Sequence, residues 1–140
     1  MTTPFYSNKC LVGGGIQPRA GLDLIAVAAS YTVAAIPLTA DIFHMVKVPA
    51  GATLVDLLLD TTALDAGSNI TLSVGYTGAL EAFISQSTVA QAGGVARLSV
   101  AGGSQKFFAA EDTIQVSVTL QGATTAAGTI KLTVYYTMDP

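Results

Sequence analysis

Three segments of this chain alternate strictly between apolar and polar residues, and this pattern constrains the fold more than any other feature. They are NITLSVGY (69–76), DTIQVSVTL (112–120) and TIKLTVYY (129–136). A repeat of two residues, rich in Val, Ile and Thr, is typical of a β-strand with one face on a core and the other in water. The pattern predicts three such strands. The residues predicted to face water include Ser73, Gly75, Gln115 and Ser117.

The segment LVDLLLD (54–60) is ambiguous when taken alone. As a helix it would gather leucines on one side. As a strand it would place Val55, Leu57 and Leu59 opposite Leu54, Asp56, Leu58 and Asp60. It is short for a helix, and its neighbours are strands, so we predict a strand. Pro49 and Gly51 indicate a turn before it, which predicts pairing with the preceding segment DIFHMVKV (41–48). There, Ile42, His44, Val46 and Val48 would face away from Phe43, Met45 and Lys47.

The remaining pattern predicts an all-β fold without helices. Further strand candidates are residues 22–29, 31–36, 80–85, 96–100 and 106–109, and the segments between them are rich in Gly, Ser and Asn. About eight short strands predict a single antiparallel β-sandwich, specifically a jelly roll. Residues 21–140 would form this domain. Residues 1–20 lack a periodic pattern, which fits either an extended N-terminal arm or a frayed terminus.

The composition indicates a protein that works in contact with other proteins. Only 11% of the residues are charged and 51% are hydrophobic, whereas about 25% of the residues in an average soluble domain are charged. Weakly charged, exposed surface usually marks contact sites. The net charge is −3 and the six basic residues are scattered, which argues against a nucleic-acid partner.

Two features concern the cellular compartment. The single cysteine, Cys10, cannot form an internal disulfide, and the first ten residues do not resemble a secretion signal. The longest uncharged stretch, residues 24–40, is too short and too polar for a spanning helix. We expect it to form buried strands, and we expect no membrane association.

The sequence offers few residues for catalysis. His44 lies among apolar neighbours on a predicted strand, which favours a structural role over that of a general base. No G-x-S-x-G motif is present, and Cys10 has no neighbouring base. Glu111 and Asp112 are adjacent, so on a strand they would point to opposite faces. We predict no enzymatic activity and no catalytic residues.

Cofactor and metal sites are also not expected. The glycines at 13–15 are not followed by the Lys and Ser/Thr of a phosphate-binding loop. Asp60, Asp65 and Asn69 do not have EF-hand spacing. A carbohydrate-binding sandwich is a rival hypothesis, because Tyr6, Tyr31, Tyr76 and Tyr135 could stack on sugars, although the chain lacks Trp.

With its strands placed, the sequence resembles small capsid-associated proteins of tailed bacteriophages, including decoration (cement) proteins of the jelly-roll type. The matching elements are PAGA (49–52), TLSVGY (71–76) and GTIKL (128–132), within the C-terminal two-thirds of the chain. The resemblance implies a structural virion protein without catalysis or cofactors. It would be assembled in the host cytoplasm and bound to the outer capsid surface, where it cements neighbouring major capsid protein subunits. The alternative is a phage tail or fibre module.

Partner contacts are predicted mainly for the N-terminal arm. Its large apolar residues are Phe5, Tyr6, Leu11, Val12 and Ile16, which could lie along the shell or add a strand to a partner. Uncharged outer faces also favour a homo-oligomer, with a twofold dimer expected first and a trimer second.

Overall fold

Nine β-strands and one four-residue helix make up the described part of the computed structural model, which comprises residues 24–33, 38–65, 69–122 and 127–138. In chain order they are β1 (Ile25–Val33), β2 (Ile42–Val48), β3 (Ala52–Thr61), β4 (Thr71–Tyr76), β5 (Ala79–Ser87), α1 (Val89–Ala92), β6 (Gly94–Arg97), β7 (Lys106–Phe108), β8 (Asp112–Leu120) and β9 (Gly128–Met138). The predicted all-β class is confirmed. The short helix was not predicted.

The strands form two antiparallel sheets with jelly-roll connectivity. The first sheet has the order β1-β9-β3-β6, with β7 also paired to β3, and the second has the order β2-β8-β4-β5. Strands that follow one another in the chain therefore occupy equivalent positions in opposite sheets, as β1 and β2 or β9 and β8 do. This is the double Greek-key arrangement of a jelly roll.

The core lies between the sheets and is built from alternate residues of the strands. Leu57 and Leu59 of β3 meet Val134 and Leu132 of β9 across the first sheet, and all four are fully buried. In the second sheet, Val74 of β4 lies opposite Val116 of β8, and both are fully buried. Burying one such side chain stabilises the fold by about 1.5–3 kcal/mol, so these alternating rows are the main source of stability.

Two β-bulges change which residues face the core. In β3 the register with β9 shifts between Leu54 and Asp56, and Leu54 is therefore buried on the same side as Leu57 and Leu59. The prediction that placed Leu54 opposite them was wrong. In β2 the register with β8 shifts between His44 and Val46. Phe43 therefore packs on the core together with Val46 and Val48, and not on the opposite face as predicted.

Two further predictions were wrong. The segment 54–60 is a strand, but β3 and β2 lie in different sheets, and β2 pairs with β8. The candidates 22–29 and 31–36 overlap one continuous strand, β1, in which exposed and partly buried residues alternate. Apart from the buried Val33, its residues stay partly or fully exposed because β1 lies at a sheet edge. Within the described ranges, no helix is long and apolar enough to cross a membrane.

The outer face of the second sheet is less exposed to solvent than the alternating sequence pattern predicted. Ser73, Gln115 and Ser117 are buried there, because the β4–β5 turn and the start of β5 fold back over the sheet. A Cβ atom on Gly75 would lie 2.0 Å from the carbonyl oxygen of Ala79. The Ser73 hydroxyl accepts the amide proton of Gln86 and donates to Glu81 at 3.3 Å.

Candidate functional site

The polar residues that were considered for catalysis or metal binding are dispersed over the described structure. His44 is exposed on β2, opposite Gln115. Glu111 forms an exposed ion pair with Lys47 at 3.6 Å, while Asp112 has other partners. Among the described residues, no group of three or more His, Cys, Asp or Glu side chains is placed to hold a metal ion.

Asp65 holds the chain in place just before β4. Its buried carboxylate accepts the amide protons of Asn69 at 2.6 Å and Ile70 at 3.1 Å. Asp60 lies instead on the exposed face of β3, opposite Lys131 of β9. The acidic residues of this segment therefore do not converge on one point.

Asp112 fastens the β4–β5 turn to β8. Its carboxylate accepts hydrogen bonds from the Thr77 hydroxyl and the Thr113 amide, both at 2.7 Å, and the Gln115 side-chain amide donates to the same Thr77 hydroxyl at 3.0 Å. Partial burial raises the pKa of Asp112, but these hydrogen bonds and the charge of Lys106 outweigh it, and the pKa is lowered from the ordinary value. These bonds hold the turn against the strand.

Tyr76 is partly buried against the core and is poorly suited to stacking on a sugar. Its ring lies 5.8 Å from that of Phe83 and 5.7 Å from that of Phe108. The ammonium of Lys106 lies 4.7 Å from the Tyr76 ring centroid. Of the four tyrosines that the rival hypothesis required, this one is therefore occupied by contacts within the chain.

Exposed apolar surface lies along the free side of β1, and we call it the β1 edge. It consists of the residues of β1. Tyr31 points toward the core and contacts Phe43, with 4.9 Å between ring centroids, but it is 49% exposed. Outside β1, Leu38 is 53% exposed and Ile42, at the start of β2, is 41% exposed.

Residues 38–41 are held firmly beside β8. The Ala40 amide donates to Val118 at 2.8 Å, and the Val118 amide donates to Asp41 at 2.9 Å. The Asp41 carboxylate also accepts the Leu38 amide proton at 2.9 Å. The exposed side chain of Leu38 is thus carried by a well-bonded segment, as a contact surface requires.

A shallow groove crosses the outer face of the second sheet. It consists of two adjoining cavities of about 700 and 450 Å³, which share Ile42, Leu80 and Glu81. Gln115 and Ser117 form part of the lining. The Ser117 hydroxyl is buried and has no hydrogen-bond partner among the described residues.

The residues predicted to bind partners, namely Phe5, Tyr6, Leu11, Val12 and Ile16, lie outside the described residues. So do Cys10 and the glycines at 13–15. The β1 edge was not predicted as a contact surface. The uncharged sequence IAVAASYTV could have indicated a contact surface, but it was interpreted as part of a buried strand.

Comparison with known proteins identifies capsid components. No family model matches the chain, and no curated protein matches it. A chain of the cyanophage Pam1 capsid asymmetric unit is 25% identical with a TM-score of 0.78, over 97% of this chain and 99% of that chain. A chain of the capsid of Ralstonia phage GP4 is 28% identical with a TM-score of 0.76, over 89% of this chain and 90% of that chain.

A third similarity concerns the fold alone. It is to the acid-stable capsid of Helicobacter pylori bacteriophage KHP30, at 17% identity and a TM-score of 0.54, over 83% of this chain and 94% of that chain. The structural neighbours are therefore phage capsid proteins, which supports a structural role in the virion. The resemblance to phage capsid-associated proteins that was inferred from the sequence is confirmed to this extent, without the decoration role.

Proposed function

We propose that this chain is a structural virion protein that binds the outer surface of a phage capsid and cements neighbouring major capsid protein subunits. The observation that carries the proposal is the similarity to a chain of the Pam1 capsid asymmetric unit, which covers 97% of this chain and 99% of that one. The sandwich thus corresponds to an entire chain of a capsid and not to a small part of a larger one.

The surface chemistry supports attachment through weakly charged contacts. Charged residues make up 11% of the chain, and the β1 edge exposes large apolar side chains. Apolar contacts are insensitive to screening by salt, unlike contacts between exposed charges. We expect the bound protein to stay on the shell at high ionic strength.

Bridging gives a physical mechanism for cementing. A protein that contacts two shell subunits makes the second contact at a high effective concentration, so two modest interfaces together bind firmly. Separation of the subunits would require breaking both contacts. The shell should therefore withstand more heat or internal pressure when the protein is bound.

We assign the attachment to the N-terminal segment, in which Phe5, Tyr6, Leu11, Val12 and Ile16 supply large apolar side chains. Aromatic and large apolar anchors contribute most to protein interfaces. An extended segment can also add a strand to a sheet of the partner.

Capsids assembled without the protein provide the test. They are mixed with the purified chain, sedimented through a gradient, and the bound copies are counted. We expect saturable binding at a number compatible with icosahedral symmetry, labelling of intact capsids by an antibody against the chain, and a higher temperature of capsid disruption.

Two variants locate the attachment. Replacing the five apolar residues of the N-terminal segment with serine should abolish co-sedimentation, whereas the control Thr2→Ala/Thr3→Ala should bind like the wild type. An intact chain that stays at the top of the gradient would rule out the shell as partner. Binding to purified tails would then favour a tail or fibre module.

A further inference from the structure

Strand β1 is an edge strand that lacks the usual protection against pairing. Natural edge strands carry charges, prolines or bulges that prevent another strand from adding to them. The nine residues of β1 include no charge and no proline, and its pairing with β9 runs without a register shift. On its other side, β1 has no strand partner within the described ranges.

The core-facing row of β1 is only half covered. Ile25, Val27 and Ala29 pack on the core but are partly exposed, and Tyr31 is 49% exposed. Their partners on β9, from Tyr136 to Ile130, are almost completely buried. A further strand beside β1 with apolar residues at alternate positions would bury this row.

We propose that two copies of the chain pair through antiparallel β1 strands, about a twofold axis that passes near Ala29 and is perpendicular to the sheet. Val27 would lie opposite Tyr31 of the partner subunit, and Ile25 opposite Val33 of the partner subunit. The first sheet would then continue across both copies. This proposal concerns contact between two copies and does not depend on binding to a shell.

A second copy suits this edge because the strand is self-complementary. In the twofold pairing every core-facing residue meets another apolar residue, and no like charges meet, because β1 carries none. The other long edge strands are less suited. β2 contains Lys47 and a bulge, and β5 contains Glu81 and two register shifts.

The predicted contact is small. A contact made by one strand pair and a few side chains belongs to the small interfaces, below about 1,200 Å² in total. We therefore expect a dimer with a dissociation constant in the micromolar range.

Sedimentation velocity of the full chain over a wide concentration range tests the pairing. Ala28→Lys/Ser30→Lys places lysines at exposed, outward positions, which in the proposed register lie directly opposite each other across the axis. Like charges in facing positions oppose strand pairing, so we expect dimerisation to weaken at least tenfold. The control Val95→Lys/Ser99→Lys adds the same charge at exposed positions on and after β6 and should dimerise like the wild type.

Cross-linking tests the register. In a Cys10→Ser background, Ala29→Cys should form a disulfide-linked dimer with oxidised glutathione, and Ser99→Cys should not. A chain that stays monomeric at several hundred micromolar, or a dimer indifferent to the lysines at 28 and 30, would overturn the proposal. So would a monomer that dimerises only after removal of residues 1–20, since those residues would then be the occupant of the edge.

Discussion

Gly75 offers the sharpest test of how the second sheet is packed. It pairs with Gln115 of β8, and the β4–β5 turn brings the backbone of Ala79 and Leu80 over its Cα atom. A Cβ atom at this position would lie 2.0 Å from the Ala79 carbonyl oxygen and 2.5 Å from the Leu80 carbonyl carbon. Both atoms belong to the backbone, so a rotamer change cannot relieve the clash.

The expected cost of Gly75→Ala follows from this geometry. The turn would have to move away by at least about 1 Å, since such contacts are not tolerated under 3.0 Å. Overpacking costs about 1–3 kcal/mol and more where the backbone must shift, while replacing Gly stabilises by about 0.4–1 kcal/mol through the unfolded chain. We expect a net loss of about 3 kcal/mol in the free energy of unfolding.

Gly78→Ala is the matched control in the same turn. Apart from its chain neighbours, no described residue has an atom within 4 Å of a Cβ atom on Gly78, but the φ of this residue is +85°. The cost of the substitution is therefore conformational, at about 1–2 kcal/mol. Urea unfolding followed by far-UV circular dichroism measures both variants. A Gly75→Ala protein as stable as Gly78→Ala, or within about 0.5 kcal/mol of the wild type, would refute the close approach of the turn to the sheet.

Three further predictions concern other contacts. Leu57→Ala removes a fully buried side chain and should cost about 3–4 kcal/mol in urea unfolding; a loss below about 1 kcal/mol would contradict its place in the core. Arg97→Ala breaks the exposed ion pair with Asp56 and should change stability by less than about 1 kcal/mol, so a loss above about 2 kcal/mol would refute this assessment. Asp112→Asn should destabilise the protein at pH 7. Because the folded-state pKa of Asp112 is lowered, the stability contributed by its ionised form is present above the unfolded pKa of about 3.9 and is lost as pH falls through the folded value. The wild type and Asp112→Asn should therefore converge in stability between about pH 5 and pH 2, and a constant difference over that range would contradict the hydrogen bonds assigned to Asp112.

The sequence predicted strands well where the repeat of two was unbroken. Strands β4, β8 and β9 lie within a few residues of the alternating segments, because their core-facing residues must occupy every second position. It failed where a bulge inserted an extra residue. Leu54 was assigned to the wrong face of β3, because the shift before Asp56 leaves no mark in the order of apolar residues.

Pairing and surface burial depended on parts of the chain that are distant in sequence. The turn at Pro49 and Gly51 suggested a hairpin, yet β2 and β3 lie in different sheets. Ser117 has a polar side chain and was expected in water, but β5 and residues 38–41 cover its surroundings. The contact properties of β1 were missed for a similar reason, because an uncharged strand at a sheet edge and one in a sheet centre have the same sequence pattern.

The central position of β9 has a consequence for synthesis. This strand lies between β1 and β3 and pairs with both, although it is the last described strand in the chain. Until residues 128–138 have left the ribosome, β1 has no partner within the described part of its own sheet. Roughly 100 residues separate the two strands, which at about 5–20 residues per second leaves β1 exposed for roughly 5–20 s. An uncharged strand that stays unpaired for this time is vulnerable to aggregation. Low temperature or added chaperones should therefore raise the yield of soluble protein during expression.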